Sequence, residues 1–365
     1  MIHDPRIVMT LDAGGTNFKF SAMQGDKPAT KPFSVPSNGD NLDRCLATIM
    51  GGFERVRQSL PSAPVAISFA FPGPADFPRG IIGDLLNLPG FRGGVPLGPI
   101  LEEKFGMPVF INNDGDLFAY GEAIAGLLPQ VNDLLEKAGS TKRYKNIFGV
   151  TLGTGFGGGI VRDGELFGGD SICAGEIWLL RNKLQPDTNV EEGASIRAVR
   201  RVYAEQAGMA FDDAPEPKII FDIGMGKAPG NQAAAKEGFR RLGEVVGDAL
   251  AQVVTLIDGL VVIGGGVSGA WPLFLPAIIE EMNGTYRKPK GGEFRRLTHQ
   301  VFNLEDPAQV KAFLKGATRE ITVPGNGRKI AYDPMPRTGV GMSRLGTSEA
   351  VAIGAYAYAL HKLGD

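Results

Sequence analysis

The chain has 365 residues, 43% of them hydrophobic, and its 38 basic and 40 acidic side chains give a formal net charge of −2. This length predicts two domains with substantial cores, and the balanced charge lacks the basic patch typical of proteins that bind nucleic acid or an anionic membrane. Two cysteines without paired spacing indicate neither a disulfide framework nor a zinc site. We expect a cytoplasmic protein, because no segment has the pattern of an export signal or a membrane span.

The first predicted element is a strand over residues 7–12 that enters the glycine turn Asp12-Ala13-Gly14-Gly15-Thr16-Asn17. A dinucleotide-binding fingerprint would open a helix after this turn, yet residues 16–22 alternate with the two-residue period of a strand. The turn therefore joins a β-hairpin. Its glycines let backbone N–H groups approach phosphate oxygens, and Thr16 adds a hydroxyl donor. A tight turn without a ligand is the alternative for this motif alone.

Two buried strands are predicted next, at residues 65–73 and 108–114, with a helix over 99–106 leading into the second. The second strand ends in Asn112-Asn113-Asp114. A carboxylate at a strand end that faces a cleft can accept a hydroxyl proton while a phosphoryl group is transferred. The same Asn-Asn-Asp-Gly sequence also favours a plain turn.

Residues 147–167 repeat the plan of the first hairpin, with a strand, a Gly/Thr turn, a second strand and an Asp163-Gly164 turn. The run Gly153-Thr154-Gly155-Phe156-Gly157-Gly158-Gly159 is too rich in glycine for a strand unless a ligand approaches the backbone closely. A polyphosphate chain is such a ligand. Two similar hairpins predict two related lobes that each supply a glycine loop to a shared cleft.

The remaining chain is predicted to be largely helical from residue 193 to residue 257, before a buried strand that ends in Gly264-Gly265-Gly266. A nucleobase or ribose could lie against this glycine turn. Residues 271–345 are irregular, and we expect an extended surface elaboration there. Residues 347–363 predict a helix with Ser348 as its cap, and its small residues indicate close packing.

The three glycine motifs, in this order, resemble the phosphate-1, phosphate-2 and adenosine motifs of the actin, hexokinase and heat-shock ATPase superfamily. Within it the chain most resembles the ROK family of bacterial sugar kinases and repressors, from about Ile7 to about Gly269 and again in the final helix. The resemblance implies an α/β, two-lobed actin-like ATPase (ribonuclease H-like) fold, with duplicated lobes around a nucleotide cleft. We expect an N-terminal lobe of residues 1–115 plus 346–365 and a C-terminal lobe of residues 116–345.

The resemblance also implies ATP and Mg²⁺ as the nucleotide and its metal ion, with Asp12 holding Mg²⁺ through water. The residues expected to bind the nucleotide are Asp12, Gly14, Gly15, Thr16, Asn17, Gly153, Thr154, Gly155, Gly264, Gly265 and Gly266.

On the sugar side, the resemblance makes Asp114 the catalytic base and Asn113 a sugar ligand, with Asn112 standing where the family has Glu. Two loops similar to sugar-side loops of the family contain Gly73 and Asn87, although both could be plain turns.

A later segment matches the family's G-E-x-G-H motif at Glu176, a sugar contact, but Trp178 replaces the histidine. Residues 179–190 contain no cysteine or histidine, so no zinc is expected. Glu191 takes the sugar-contact role of the E-x-x-x-S segment that follows, with Glu192 as the alternative match. Both Glu176 and Glu191 could instead be solvated surface carboxylates. Trp178 could stack on a sugar ring or belong to the core.

The resemblance thus implies ATP-dependent phosphorylation of a hexose, with glucose converted to glucose 6-phosphate as the family default. Fructose, mannose and N-acetylhexosamines remain alternatives, as does a non-catalytic sugar-binding or regulatory protein. We expect no repressor-type DNA-binding domain, because the first phosphate motif lies near the start of the sequence. We expect the sugar and ATP to be the binding partners of the protein. We expect the chain itself to form a homodimer.

Overall fold

The computed structural model describes residues 4–364. Its strands are β1 (Val8–Ala13), β2 (Asn17–Gln24), β3 (Lys27–Pro28), β4 (Phe33–Pro36), β5 (Ala66–Ala70), β6 (Ala75–Asp76), β7 (Ile81–Ile82), β8 (Val109–Asn112), β9 (Ile147–Leu152), β10 (Phe156–Arg162), β11 (Glu165–Leu166), β12 (Leu260–Gly264), β13 (Thr285–Arg287), β14 (Glu293–Arg295), β15 (Gln300–Asn303), β16 (Arg319–Thr322), β17 (Lys329–Tyr332) and β18 (Arg337–Met342).

The helices are α1 (Leu42–Ser59), α2 (Leu97–Phe105), α3 (Asp114–Ile124), α4 (Leu127–Lys137), α5 (Ile196–Ala207), α6 (Pro217–Gly224), α7 (Gln232–Ile257), α8 (Trp271–Met282), α9 (Pro307–Lys315) and α10 (Thr347–Leu363). Within the described part of the chain, none of them is long and apolar enough to cross a membrane.

The chain divides into two compact units. Unit 1 comprises Met1–Gly126, Gly159–Gly175 and Leu345–Asp365, and unit 2 comprises Leu127–Gly158 and Glu176–Arg344. These units differ from the predicted lobes mainly in residues 116–126 and 159–175, which belong to unit 1. The reason is close packing, because a Cβ added at Gly159 would lie 2.5 Å from the backbone oxygen of Gly115 at the start of α3.

The sheet of unit 1 has the strand order β3-β2-β1-β5-β8, and β4 also pairs with β2. The predicted hairpin is confirmed, because β1 and β2 are antiparallel around the first glycine turn, whereas β1, β5 and β8 are parallel. Helix α1 begins after Asn41, whose side chain accepts a hydrogen bond from the N–H of Arg44. Its buried residues are Cys45, Ile49, Gly52, Phe53 and Val56. They join an apolar core in which the rings of Phe20 and Phe53 lie edge to face, 5.3 Å apart.

Helices α3 and α10 pack against each other through small residues. A Cβ added at Gly354 would lie 1.9 Å from the backbone oxygen of Leu117, and one added at Gly121 would lie 2.0 Å from that of Ala350. The close packing predicted for the final helix is confirmed. The predicted cap is wrong, because α10 begins after Gly346 without a side-chain cap and Ser348 lies inside the helix.

The second sheet has the order β11-β10-β9-β12-β18-β15, and the division between the units falls within β10. In unit 2, β9, β12, β18 and β15 are parallel, and α7 packs against α5 and α8. Part of the expectation for residues 271–345 is therefore wrong. Strand β18 is buried throughout, because it lies between β12 and β15 inside this sheet, and its sequence Arg-Thr-Gly-Val-Gly-Met has no apolar run that predicts a buried strand. The hairpins β13–β14 and β16–β17 of the same segment are exposed, as expected.

Candidate active site

The parallel strands of unit 1 bring three chain segments to one edge of its sheet. In the strand register, Asp12 at the end of β1 lies beside Ala70 at the end of β5, and Ala70 lies beside Asn112 at the end of β8. Ligands of α/β proteins bind outside the carboxyl ends of parallel strands. The predicted phosphate-1 loop and the predicted base, Asp114, therefore follow the ends of β1 and β8, which are separated by β5 in one sheet.

The phosphate-1 loop is a tight turn with its polar groups exposed. The N–H of Gly14 donates to the carbonyl of Asn17 over 3.1 Å, and residues 14–17 are all exposed. The loop is held from below by the buried Ser37, whose hydroxyl donates to the carbonyl of Gly15 over 2.6 Å and whose N–H donates to that of Thr16 over 2.9 Å. An exposed backbone with few side-chain atoms and a fixed shape suits contact with phosphate oxygens.

Asn87 lies beside this loop. A Cβ added at Gly15 would lie 3.4 Å from the Cβ atom of Asn87, so a loop assigned to the sugar by sequence borders one assigned to the nucleotide. Gly73 follows β5 in an exposed turn and precedes a cis peptide bond to Pro74. The structure thus brings Asn87 next to the phosphate-1 loop and places Gly73 after the neighbouring strand.

Asp114 occupies the first turn of α3 and is exposed, with Asn113 as the cap of that helix. The Oδ1 atoms of Asn113 and Asp114 both accept from the N–H of Gly115, over 2.7 and 2.9 Å. A helix N-terminus favours negative charge, and an ionised carboxylate is the form that can accept a proton. The N-terminal position of Asp114 therefore suits a general base.

In unit 2 the predicted phosphate-2 and adenosine turns are neighbours, because β9 and β12 are paired in parallel up to Thr151 and Gly264. The N–H of Gly153 donates to Gly155 across the phosphate-2 turn over 3.0 Å. Gly265 has φ +91°, and a Cβ there would lie 2.3 Å from the carbonyl oxygen of Leu152. Only glycine fits at this position, so the two turns are packed backbone to backbone.

Glu191 adjoins the phosphate-2 turn. Its Oε2 atom accepts a hydrogen bond from the N–H of Phe156 over 3.0 Å and lies 2.8 Å from the position of a Cβ on Gly155. Its other oxygen lies 3.4 Å from Arg197. The alternative match, Glu192, lies 3.4 Å from the same Arg197 and also forms an ion pair with Arg201 at 2.8 Å, and the hydrogen bond from Arg201 lowers the pKa of Glu192. The structure therefore places Glu191, not Glu192, next to a predicted nucleotide loop.

Glu176 and Trp178 form one exposed pair. The indole N–H of Trp178 donates to the Oε2 atom of Glu176, and 36% of the Trp178 side chain is accessible. Trp178 is therefore not a core residue, and its ring has a free surface. Its single polar donor is directed to Glu176, which fixes the position of the carboxylate.

The loop between these two glutamates is held by one buried asparagine side chain and closed by a backbone hydrogen bond. The side chain of Asn182 is buried, with 1% exposure, and its Oδ1 accepts from the N–H groups of Leu184 and Gln185 over 3.0 and 3.2 Å. The N–H of Val190 donates to the carbonyl of Leu180 over 2.7 Å, which joins the two ends of the loop. Among residues 4–364 there is no group of three or more His, Cys, Asp or Glu side chains able to hold a metal ion.

Asp12 is compatible with Mg²⁺ although the described residues contain no group of three or more metal-binding side chains. Magnesium is commonly held by one or two carboxylates together with substrate phosphates and waters, and the Asp12 side chain is exposed at the end of β1, next to the phosphate-1 loop. A zinc site would need several protein ligands, and the Glu176–Glu191 loop offers none of the thiol or imidazole type.

Sequence reasoning missed Ser37 and Asn182, which hold two of these loops in place. Ser37 lies in the turn-forming run Pro36-Ser37-Asn38-Gly39, which indicates a loop. That signal cannot reveal a hydrogen bond to a carbonyl 22 residues earlier in the chain. Asn182 likewise indicates a local turn, but this signal does not reveal that its side chain is buried and holds the loop.

The chain is similar to several known proteins. The sequence model of the ROK family matches residues 8–303. The crystal structure of a glucokinase from Parabacteroides distasonis has a TM-score of 0.91 and 55% sequence identity, covering 99% of this chain and 99% of that one. An N-acetyl-D-glucosamine kinase from Vibrio cholerae is 28% identical over 277 residues, which are 70% of this chain and 83% of that protein.

A more distant solved structure shares the fold. A ROK family glucokinase from Streptomyces griseus, in complex with glucose and AMPPNP, has a TM-score of 0.60 and 20% identity, covering 96% of this chain and 98% of that one. Together with the two α/β units described above, this similarity confirms the predicted actin-like ATPase fold.

Proposed function

This chain belongs to the ROK family and is a sugar kinase of that family, and we propose that it transfers the γ-phosphoryl group of ATP to the 6-hydroxyl of glucose. The observation that carries the proposal is the position of Asp114. It is an exposed carboxylate at the N-terminus of α3, which follows β8. Strand β8 pairs with β5, and β5 pairs with β1, the strand that leads into the phosphate-1 loop.

ATP is bound in this proposal by the two glycine turns and the adenosine turn. In unit 1, the exposed backbone of Gly14 and Gly15 and the hydroxyl of Thr16 meet phosphate oxygens, and Asn17 closes the turn. In unit 2, the Gly153-Thr154-Gly155 turn meets phosphate oxygens, while Gly264, Gly265 and Gly266 accept the nucleoside. Asp12 holds Mg²⁺ through water, and Mg²⁺ bound there neutralises charge on the phosphates.

In this proposal glucose is bound by polar side chains from loops and helix ends of both units. Asn113 and Asn87, with the turn at Gly73, are the ligands contributed by unit 1. Glu176 and Glu191 are those of unit 2. In Asn113, Glu191 and Glu176 a side-chain oxygen already accepts a backbone or indole N–H, so one lone pair is used to orient the group and the others can accept from sugar hydroxyls.

Asp114 then accepts the proton of the 6-hydroxyl as its oxygen attacks the γ-phosphorus. The bond between that phosphorus and the β,γ-bridging oxygen breaks, so the products are glucose 6-phosphate, ADP and one proton. Catalysis consists of positioning and charge stabilisation, with general-base catalysis contributing about 10²- to 10⁴-fold.

Glucose is favoured over other hexoses by the 55% identity to a glucokinase over 99% of both chains. N-Acetyl-D-glucosamine is the second candidate, because kinases of that name align with 70% of this chain at 28% identity. An ADP-release assay with glucose, N-acetylglucosamine, mannose and fructose distinguishes them by kcat/KM. We expect glucose to give the highest value. Turnover with none of the four sugars, in a preparation that binds glucose, would support a non-catalytic sugar-binding protein instead.

A further inference from the structure

A cavity of about 380 Å³ lies in unit 1 beside the edge strand β8. Its volume falls within the range of small-molecule sites. It is bounded by β8, the first turn of α3, the C-terminal half of α10 and the segment that contains Leu166 and Ile172. None of its lining residues is among those proposed above to bind ATP or glucose, so it is a separate feature of the fold.

The floor of the cavity contains a buried amide that lacks a full set of hydrogen bonds. Asn112 is 5% exposed and lines the cavity. Burial raises the pKa of Tyr358, and an interaction between its hydroxyl and the Asn112 side chain lowers this pKa to a smaller extent, but among residues 4–364 no acceptor meets hydrogen-bonding geometry at Nδ2. Buried donors in native proteins are nearly always satisfied by protein, water or ligand. Because Nδ2 carries two hydrogens, at least one of them is available to a ligand in the cavity.

Three further polar groups surround the same space with different chemistry. Asp116 supplies a carboxylate from the first turn of α3 and is 5% exposed. Tyr358 supplies a hydroxyl, and burial raises the pKa of this phenol, so it is a neutral donor and acceptor. Lys362 supplies an exposed ammonium group at the rim, 5.4 Å from the centre of the Tyr358 ring.

The walls are apolar and partly aromatic. Phe110 and Tyr358 lie edge to face with their ring centres 6.1 Å apart, and Phe77 and Ile172 are among the other apolar residues of the lining. Flat aromatic surfaces suit the C–H face of a sugar ring, and the amide and carboxylate suit its hydroxyl groups. A single cation at the rim suits one anionic substituent.

We propose that this cavity binds a monosaccharide phosphate, with ring hydroxyls on Asn112 and Asp116 and the phosphate at Lys362. The binding does not depend on the proposed function. Its consequence for turnover does, because Asn112 and Asp116 flank the proposed ligand Asn113 and the proposed base Asp114 along the chain. A kinase that forms glucose 6-phosphate would thereby respond to its own product without competition between that product and glucose.

Titration calorimetry with glucose 6-phosphate, in buffer that contains saturating glucose, tests the site while glucose occupies the proposed hexose site. The wild-type chain is expected to bind. Lys362→Gln removes the rim cation, and Leu166→Trp fills the cavity, and each should weaken binding about tenfold or more. Lys104→Gln removes an exposed charge from α2 in the same unit and should leave the affinity unchanged. If Leu166→Trp does not fold, Asn112→Leu replaces it.

Several results would overturn the proposal. The first is that the wild-type chain does not bind glucose 6-phosphate, and the second is that wild type and Lys362→Gln bind it equally well. The third is that inorganic phosphate binds as tightly as glucose 6-phosphate, which would indicate an anion site without sugar recognition. Initial rates add a second readout, since glucose 6-phosphate should change kcat at saturating glucose in wild type and not in Lys362→Gln. A chain that binds glucose 6-phosphate here but phosphorylates no hexose would refute the proposed function and leave this site intact.

Discussion

The carboxylate of Glu191 accepts a hydrogen bond from the backbone N–H of Phe156 over 3.0 Å, and this contact joins the loop proposed to bind sugar to the loop proposed to bind phosphate. Both residues belong to unit 2. A change in the position of Glu191 therefore alters the start of β10 directly. In the proposed reaction, Glu191 thus binds glucose and also positions the loop that binds the phosphates of ATP.

Glu191→Ala is expected to reduce kcat/KM for glucose by roughly ten- to a hundredfold and to raise the KM for ATP as well, because hydrogen bonds to charged groups contribute about 1.5–3 kcal/mol. Steady-state kinetics with each substrate varied in turn measures both effects. Glu192→Ala is the matched control, since its carboxylate is engaged with Arg201 on the surface, and it should cost less than about threefold. A larger effect from Glu192→Ala would move the sugar contact to that residue.

Asn182→Ala should raise the KM for glucose several-fold with a smaller change in kcat, because the buried amide holds the loop that carries Glu176 and Glu191. Leaving the N–H groups of Leu184 and Gln185 without their acceptor costs about 1–3 kcal/mol. Asn182→Asp keeps the acceptor oxygen and is expected to restore most of the affinity. Equal loss in both variants would mean that Asn182 does not position the loop through this oxygen.

Gly354→Ala is expected to lower the free energy of unfolding by about 1–3 kcal/mol, because the added Cβ would overlap the backbone oxygen of Leu117 and force α3 and α10 apart. Thermal or urea unfolding measures the change. Gly51→Ala is the control, since no atom lies within 4 Å of a Cβ at that position of α1, and it should stabilise by about 0.5–1 kcal/mol. Similar values for the two variants would contradict the packing.

Glu237 gives a pH dependence whose sign follows from its pKa. Hydrogen bonds from Arg240 and Arg241 lower the pKa of Glu237 from 4.5 to about 2, against the opposing effect of burial. The resulting stabilisation is present above the unfolded pKa and disappears as the pH falls from about 4.5 towards 2. Glu237→Gln should therefore destabilise by about 0.5–1 kcal/mol at pH 7 and by less at pH 3.

Urea unfolding at both pH values checks this, with Glu103→Gln on α2 as the control for loss of an exposed carboxylate. A constant difference between wild type and Glu237→Gln from pH 7 to pH 3 would refute the role of the two arginines.

Sequence reasoning located the features that depend on local chemistry. Each glycine turn was predicted at the end of an apolar strand, and the structure places one after β1, one after β9 and one after β12. The hairpin after β1 followed from the alternation of residues 16–22, and the close packing of α10 followed from its small residues. These signals lie within a few residues of the features that they predict.

The features that were missed depend on contacts between distant parts of the chain. Strand β18 contains an arginine, a threonine and two glycines and follows an irregular segment, and only its place between β12 and β15 makes it a core strand. The hydrogen bond from Phe156 to Glu191 spans 35 residues. Its geometry depends on how β10 and the Glu176–Glu191 loop fold against each other, and no local pattern contains that information.

The role of Asp114 is the central claim, and the rate of glucose-dependent ADP release by Asp114→Asn tests it most directly. The amide keeps the size of the side chain and its hydrogen bond to Gly115, but it cannot accept the hydroxyl proton. We predict that kcat falls by about 10²- to 10⁴-fold, while the affinity for an ATP analogue changes by less than about twofold because Asp114 lies outside the glycine turns. A kcat within about tenfold of the wild-type value, with glucose bound normally, would contradict Asp114 as the base.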